Sequence, residues 1–213
     1  MHTLVDLRGN LPVSVYLTSA SVNDVKALDD LYIEPSAIYL MDRGYVDFNR
    51  LFKLITKKNA FFVTRAKDNM LFEVVSEAEV DKSTGIISDE RIKLTGLHTA
   101  KWYPEELRMV TYEDYATSKV YRFLTNNMEY EALTISELYR ERWNVELYFK
   151  WIKQHLHIKS FYGTSENAIY LQIWIAICTY LLLAYAKKVM HIDQSLHTIS
   201  KLSLIHISEP TRL

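Results

Sequence analysis

Tyr139, Arg142, Glu146 and Lys153 recur along one predicted helix at offsets that bring them together. At about 100° per residue they fall within an arc of roughly 60°. One carboxylate flanked by a guanidinium, an ammonium and a phenol suits a metal-bound phosphodiester. The acid would hold a divalent cation and the donors would hold phosphate oxygens. The plain alternative is a solvated helix face, with i,i+4 support between Arg142 and Glu146. The opposite flank, Leu138, Val145, Phe149, Ile152 and Leu156, is apolar and would dock the helix to a core.

A second acid, Asp42, follows the apolar run Ala37–Met41. That run reads as a buried strand, which puts Asp42 at the carboxyl edge of a sheet, where open α/β sheets bind ligands and ions. The same Asp-Arg-Gly is also good turn chemistry. Arg65 and Lys67 end and follow the next predicted strand, Ala60–Arg65, at the same edge. They could touch a phosphate or simply solvate a loop. His155 and His157 point apart on a helix and are poor joint metal ligands. No glycine-rich phosphate loop, nucleophile elbow or zinc motif occurs in the sequence.

The elements that must position these groups follow from pattern. His2–Arg8 and Pro12–Thr18 read as a hairpin joined by Gly9-Asn10. Asn23 is placed to cap a helix over Asp24–Leu31, and Asp47 to cap one over Phe48–Lys58 that stops at Asn59. The order β-β-α-β-α-β implies an α/β core with a mixed sheet. From Leu71 to Asn127 strand signals dominate, at Phe72–Val75, Ile86–Leu94, Arg108–Tyr112 and Lys119–Thr125, which reads as an all-β insertion. Thr134 or Ser136 then caps one long helix through about His157. Gly163-Thr164-Ser165-Glu166 opens a second, apolar helix to about Met190.

Composition narrows the classes. With 213 residues, 49% of them hydrophobic and few glycines or prolines, the chain is globular. A net charge of −1 gives no global basic field, so any nucleic-acid contact needs a local patch. The single cysteine, Cys178, excludes an internal disulfide and a cysteine-based zinc site, and reads as core in a reducing cytoplasm. No signal peptide is visible. Ala168–Ala186 is long enough to span a bilayer, but Gln172, Thr179 and scattered tyrosines favour a buried core helix over a membrane anchor.

Together these residues resemble a bacterial DDE transposase of the insertion-sequence-four family. Its signature is Tyr, two residues, Arg, three residues, Glu, six residues, Lys, and Tyr139, Arg142, Glu146 and Lys153 match that spacing in full. The phrases "MDRGYVDFNRL", "FFVTRAKDN" and "LYRERWNVELYFKWIKQHLHIKSFYGTSENAIYLQIWIAI" are similar to the family as well. The resemblance runs from about His2 to about Lys201. It implies an RNase H-like, retroviral-integrase-like α/β core, with residues 1–70 as its first part, 71–127 as a β-rich insertion and 128–201 as its last helical part.

The family's chemistry uses three carboxylates and two divalent cations, Mg²⁺ or Mn²⁺, for in-line phosphodiester cleavage and strand transfer. On this mapping Asp42 is the second acid and Glu146 the third. Tyr139, Arg142 and Lys153 hold the transposon-end phosphate, with Arg65, Lys67 and Trp102 as weaker DNA contacts. The implied partners are double-stranded DNA (terminal repeats and target) and a second copy in a homodimer, in the bacterial cytoplasm and away from membranes.

Two departures accompany the resemblance. It begins after the family's first core strand, so the first catalytic Asp is expected to be missing; Asp6 lies on the strand that matches the second. The expected consequence is a carboxyl-side fragment without activity of its own, or one that inhibits by binding DNA or an intact copy. At the other end, Leu202–Arg212 reads codon by codon as the translation of a sequencing-library adapter, so residues 202–213 are expected to be an adapter-derived tail.

Overall fold

In the computed structural model, which describes residues 2–9, 11–17, 24–155, 163, 165–196 and 198–199, the chain forms two units. One comprises Thr3–Leu17 and Trp143–Leu213 with Met1. The other comprises Thr18–Arg142 with His2.

The first unit begins with β1 (His2–Asp6) and β2 (Leu11–Tyr16), which pair as the expected hairpin. Asp6 closes the turn, its carboxylate accepting from the N–H groups of Arg8 at 3.3 Å and Gly9 at 3.2 Å.

The second unit holds a six-stranded sheet of order β3-β4-β8-β7-β6-β5. Its strands are β3 (Ile38–Met41), β4 (Phe61–Arg65), β5 (Phe72–Glu77), β6 (Ile86–Leu94), β7 (Leu107–Asp114) and β8 (Lys119–Thr125). β3 and β4 are parallel, with Met41 opposite Thr64, and every other pair is antiparallel. The sheet is therefore mixed. The strands β5–β8 form a meander whose last member lies beside β4, so they continue the sheet that β3 and β4 begin. β5 ends the sheet as a mostly exposed strand carrying Glu73 and Glu77, which blunts an edge open to further pairing.

A parallel pair needs a crossover. Here it is the helical segment of α1 (Phe48–Arg50), a π turn (Leu51–Ile55) and a 3-10 turn (Thr56–Lys58). Asp47 caps it as expected, accepting from Arg50 N–H at 3.0 Å, and Asn59 ends it in the left-handed region at φ 57°. Leu51, Ile55 and Phe62 are buried in this unit, as is Tyr103, whose hydroxyl meets Thr56 Oγ1 at 2.8 Å. Tyr103 follows α2 (Thr99–Trp102), a short helix the strand pattern hides. The helix expected over Asp24–Leu31 is a 3-10 turn, Asp24–Leu28; its proposed cap, Asn23, lies outside the described residues.

The long helix expected through His157 is two helices. α3 (Ala132–Glu141) starts after Glu131, two residues before Thr134, and neither Thr134 nor Ser136 is its cap. Asn127 prepares that start, its side-chain oxygen accepting from Glu129 and Tyr130 N–H groups. At Arg142 the helical ladder breaks, because its N–H turns back to Tyr139 O at 3.1 Å. α4 (Trp143–His155) follows in the other unit. A pattern of apolar spacing does not register such a one-residue break.

α5 (Glu166–Val189) opens as expected, with the Ser165 side chain accepting from Ala168 N–H at 3.3 Å and Glu166 in the first turn. Lys187 and Lys188 complement the dipole at its other end. Tyr148, Trp151 and Ile152 of α4 pack with Ala176, Ile177 and Tyr180 of α5, and Val5, Leu11 and Val15 of the hairpin join them. The expectation that α5 is a buried core helix needs correction. It is long and apolar enough to cross a membrane, and only 17% of its most apolar window is buried. One face packs on α4, while Leu171, Ile175, Leu182 and Tyr185 are exposed. Cys178 is exposed too, not core. His155's side chain, His157, Leu156 and residues 202–213 lie outside what is described.

Candidate active site

Asp42 directly follows β3, and its backbone is extended (φ −71°, ψ 156°) as it caps the 3-10 turn Arg43–Tyr45. Its Oδ1 accepts from Arg43 N–H, and its carbonyl accepts from Tyr45 N–H at 3.0 Å. The carboxylate is 59% exposed, open enough to take a further ligand. Because β3 and β4 run parallel, the carboxyl ends of both lie at one edge, which brings Arg65 and Lys67 to the same side as Asp42.

Arg142 reaches this edge from the end of α3, its Nη1 standing 3.9 Å from Asp42 Oδ2. Its guanidinium also lies 5.6 Å from the centre of the Tyr139 ring. Tyr139 is not on a solvated stripe. Its ring belongs to the core with Val63, Val110, Phe123 and Ile135, packed 4.9 Å from Phe123. Burial raises its phenol pKa; the charges of Arg142 and Arg65 pull it down and that of Asp42 pushes it up. Those opposing influences put Tyr139, Arg142, Asp42 and Arg65 in one electrostatic neighbourhood. A phenol that keeps its proton there remains a hydrogen-bond donor.

Arg65 is exposed and lies 5.4 Å over the Tyr121 ring. Lys67 bends away to the Val46 carbonyl at 2.9 Å. It lines an open hollow of about 400 Å³ with Phe48, Met70, Leu97, His98 and Trp102. There Trp102 stacks on His98 at 5.6 Å. The hollow and α2 had no clear signal in the sequence beyond the isolated Trp102.

Glu146 and Lys153 stand on α4, in the other unit. Glu146 is half-buried in the first turn, where the free N–H ends of a helix favour negative charge, and Lys153 is exposed. Among the described residues, no three His, Cys, Asp or Glu side chains gather into a metal-binding group. Asp42 and Glu146 are each hard oxygen donors of the kind that binds divalent cations.

The chain matches the family of transposase DDE domains over residues 1–182. It is 36% identical over 196 residues to a protein of Sinorhizobium fredii whose name describes a transposase, covering 90% of this chain and 54% of that one. It is 28% identical to a protein of Geobacillus stearothermophilus named as a transposase for insertion sequence element IS5377, over 87% of this chain and 48% of the relative. A third relative, from Synechocystis and also named for an insertion sequence element, is 29% identical over 70% of this chain and 40% of its own length. The chain thus spans about half the length of the curated relatives it matches. No solved structure matches it.

Proposed function

The chain belongs to the DDE transposase family, and from that premise we propose that it is part of a protein that cuts and joins DNA at the ends of an insertion sequence. Asp42 and Glu146 are the acids of the centre and share a divalent ion, Mg²⁺ or Mn²⁺. Arg142, Tyr139 and Lys153 hold the phosphate of the DNA end, and Arg65 and Lys67 contact the flanking backbone. The core that carries them is RNase H-like. The complete protein works on double-stranded DNA as a homodimer in the bacterial cytoplasm.

The observation that carries this reading is the meeting of Asp42 with Arg142. The first ends a strand and the second belongs to the spaced signature, and the fold brings the pair to one sheet edge. A guanidinium at that place suits a phosphate bound beside the acid, because its planar donors match two phosphate oxygens. The uncharged Tyr139 hydroxyl adds a donor without adding charge.

The chain alone is inactive on this reading, because two carboxylates do not hold two ions. The same shortfall favours a second role for the chain alone, as a binder of DNA or of an intact copy that blocks transposition. Both are tested with a duplex carrying the terminal repeat. The chain should leave the duplex intact with Mg²⁺ or Mn²⁺ present, and the complete protein should cut it and lose that activity as Glu146→Gln. Metal-dependent cutting by the chain alone, abolished by Glu146→Gln, would overturn the inactivity. Unchanged cutting by the complete Glu146→Gln protein would overturn the site assignment.

A further inference from the structure

We propose that Asp68 is an internal counter-ion seated in a DNA-phosphate site made by Arg43 and Arg122, an inference that rests on the DNA-cutting reading above. Asp68 follows β4, Arg43 follows Asp42, and Arg122 lies on β8, so the sequence separates them widely. Folding joins them. Arg43 Nη1 donates to Asp68 Oδ2 at 3.1 Å, and Arg122 Nη2 to Asp68 Oδ1 at 3.4 Å.

Each oxygen of one carboxylate therefore takes one guanidinium. The two non-bridging oxygens of a phosphodiester present the same pattern, with a full negative charge shared between them. Asp68 is 81% exposed, while the Arg43 and Arg122 side chains are 47% and 38% exposed. Ion pairs this open to water contribute little and are screened by salt, so a DNA strand can displace the carboxylate. Each guanidinium carries five N–H donors and is not saturated by one such contact.

The arginines are also held in place. Arg122's carbonyl accepts from Ala66 N–H at 2.8 Å, which ties β8 to the segment carrying Asp68. Arg43 is fixed by the turn that Asp42 caps. The site thus adjoins the proposed catalytic acid in sequence, where a backbone phosphate next to the cut one would lie. Phosphate contacts of this kind set register and orientation without reading sequence. Asp68 lowers the idle affinity of the surface for DNA and yields to a strand that also engages Arg142.

The test is fluorescence anisotropy of a labelled short duplex against the chain, over a series of chloride concentrations. Asp68→Asn should bind about three- to ten-fold tighter at low salt. Arg122→Gln should bind about three- to ten-fold weaker, with the salt slope reduced by about 1. In the double variant the gain from Asp68→Asn should shrink. Unchanged or weaker binding by Asp68→Asn, with its thermal unfolding intact, would show a structural brace and overturn the inference while the DNA reading stands. Replacing chloride by inorganic phosphate at equal ionic strength should leave the gain in place; its disappearance would assign the site to free phosphate and overturn the DNA assignment. Failure of every variant to bind duplex would overturn this inference and the functional reading together.

Discussion

Replacing Arg108 by methionine should destabilise the sheet unit more than any surface change near the candidate site. The guanidinium is 9% exposed and its partner Asp89 12%. Nε and Nη2 each donate to one oxygen of Asp89 at 2.7 Å, a fork-to-fork pair across β6 and β7. Nη1 donates to the carbonyls of Asn127 and Tyr130, in the loop that leads into α3. Methionine keeps most of the packing but leaves Asp89 charged and both carbonyls without this donor. Removing one partner of a buried pair costs about 3–5 kcal/mol, and each stranded carbonyl can add about 1 kcal/mol. A loss of about 5–7 kcal/mol is a large part of the roughly 5–15 kcal/mol that holds a domain folded.

Denaturant unfolding reads this as a fall in midpoint at constant slope. Asp89→Asn should cost less than Arg108→Met, and the double variant should recover part of the sum. The loop Asn127–Tyr130 also sets the start of α3, which carries Tyr139 and leads to Arg142. Folded Arg108→Met protein should therefore bind duplex DNA more weakly. A loss below about 1 kcal/mol, or strictly additive single and double variants, would refute the claim that this pair organises the unit.

Other perturbations test neighbouring links. Asp47→Ala removes the cap on Arg50 N–H and a 3.0 Å ion pair to the Arg50 side chain; thermal unfolding should show a loss of about 1–2 kcal/mol. Gly85→Ala should cost about 1–3 kcal/mol in the same assay, because Gly85 sits at φ 87° and an added Cβ would lie 2.8 Å from the Glu113 carbonyl. The Tyr148 phenol is pushed up to about 12 by burial and by Tyr180, so ultraviolet titration should show it ionising well above the ordinary phenol value of about 10. Its raised value means its contribution to stability is whole below about pH 10 and is lost as pH rises toward its folded value. Tyr148→Phe should soften that alkaline loss, and ionisation of every phenol in the folded protein by about pH 11 would contradict the burial argument.

Much of the fold was legible because it rests on local rules. β6 and β8 occupy the runs Ile86–Leu94 and Lys119–Thr125, since β-branched and aromatic residues bounded by turns specify strands directly. Asp47, Asn59 and Ser165 act where capping chemistry put them. Asp42 falls at the strand's carboxyl end for the same reason. Tyr139 misled because its hydroxyl counted it as polar, whereas its ring outweighs the hydroxyl and joins Phe123 in the core. The break at Arg142 hides inside an unbroken helical period. α5 misled in the other direction, since an apolar sequence does not say how much of its surface finds a neighbour. The contacts of Asp68 with Arg43 and Arg122 depend on sheet order, and no local spacing encodes them.

The proposal that Asp42 and Glu146 share a divalent ion is most directly tested by iron-directed cleavage of the protein itself. Fe²⁺ replaces the ion, and ascorbate with peroxide releases hydroxyl radicals that cut the backbone beside it. Mapping the fragments by mass spectrometry should place cuts near both Asp42 and Glu146. Excess Mg²⁺ should suppress them, and Asp42→Asn or Glu146→Gln should remove both together. Cuts beside only one of the two acids, or at neither, would contradict the shared centre.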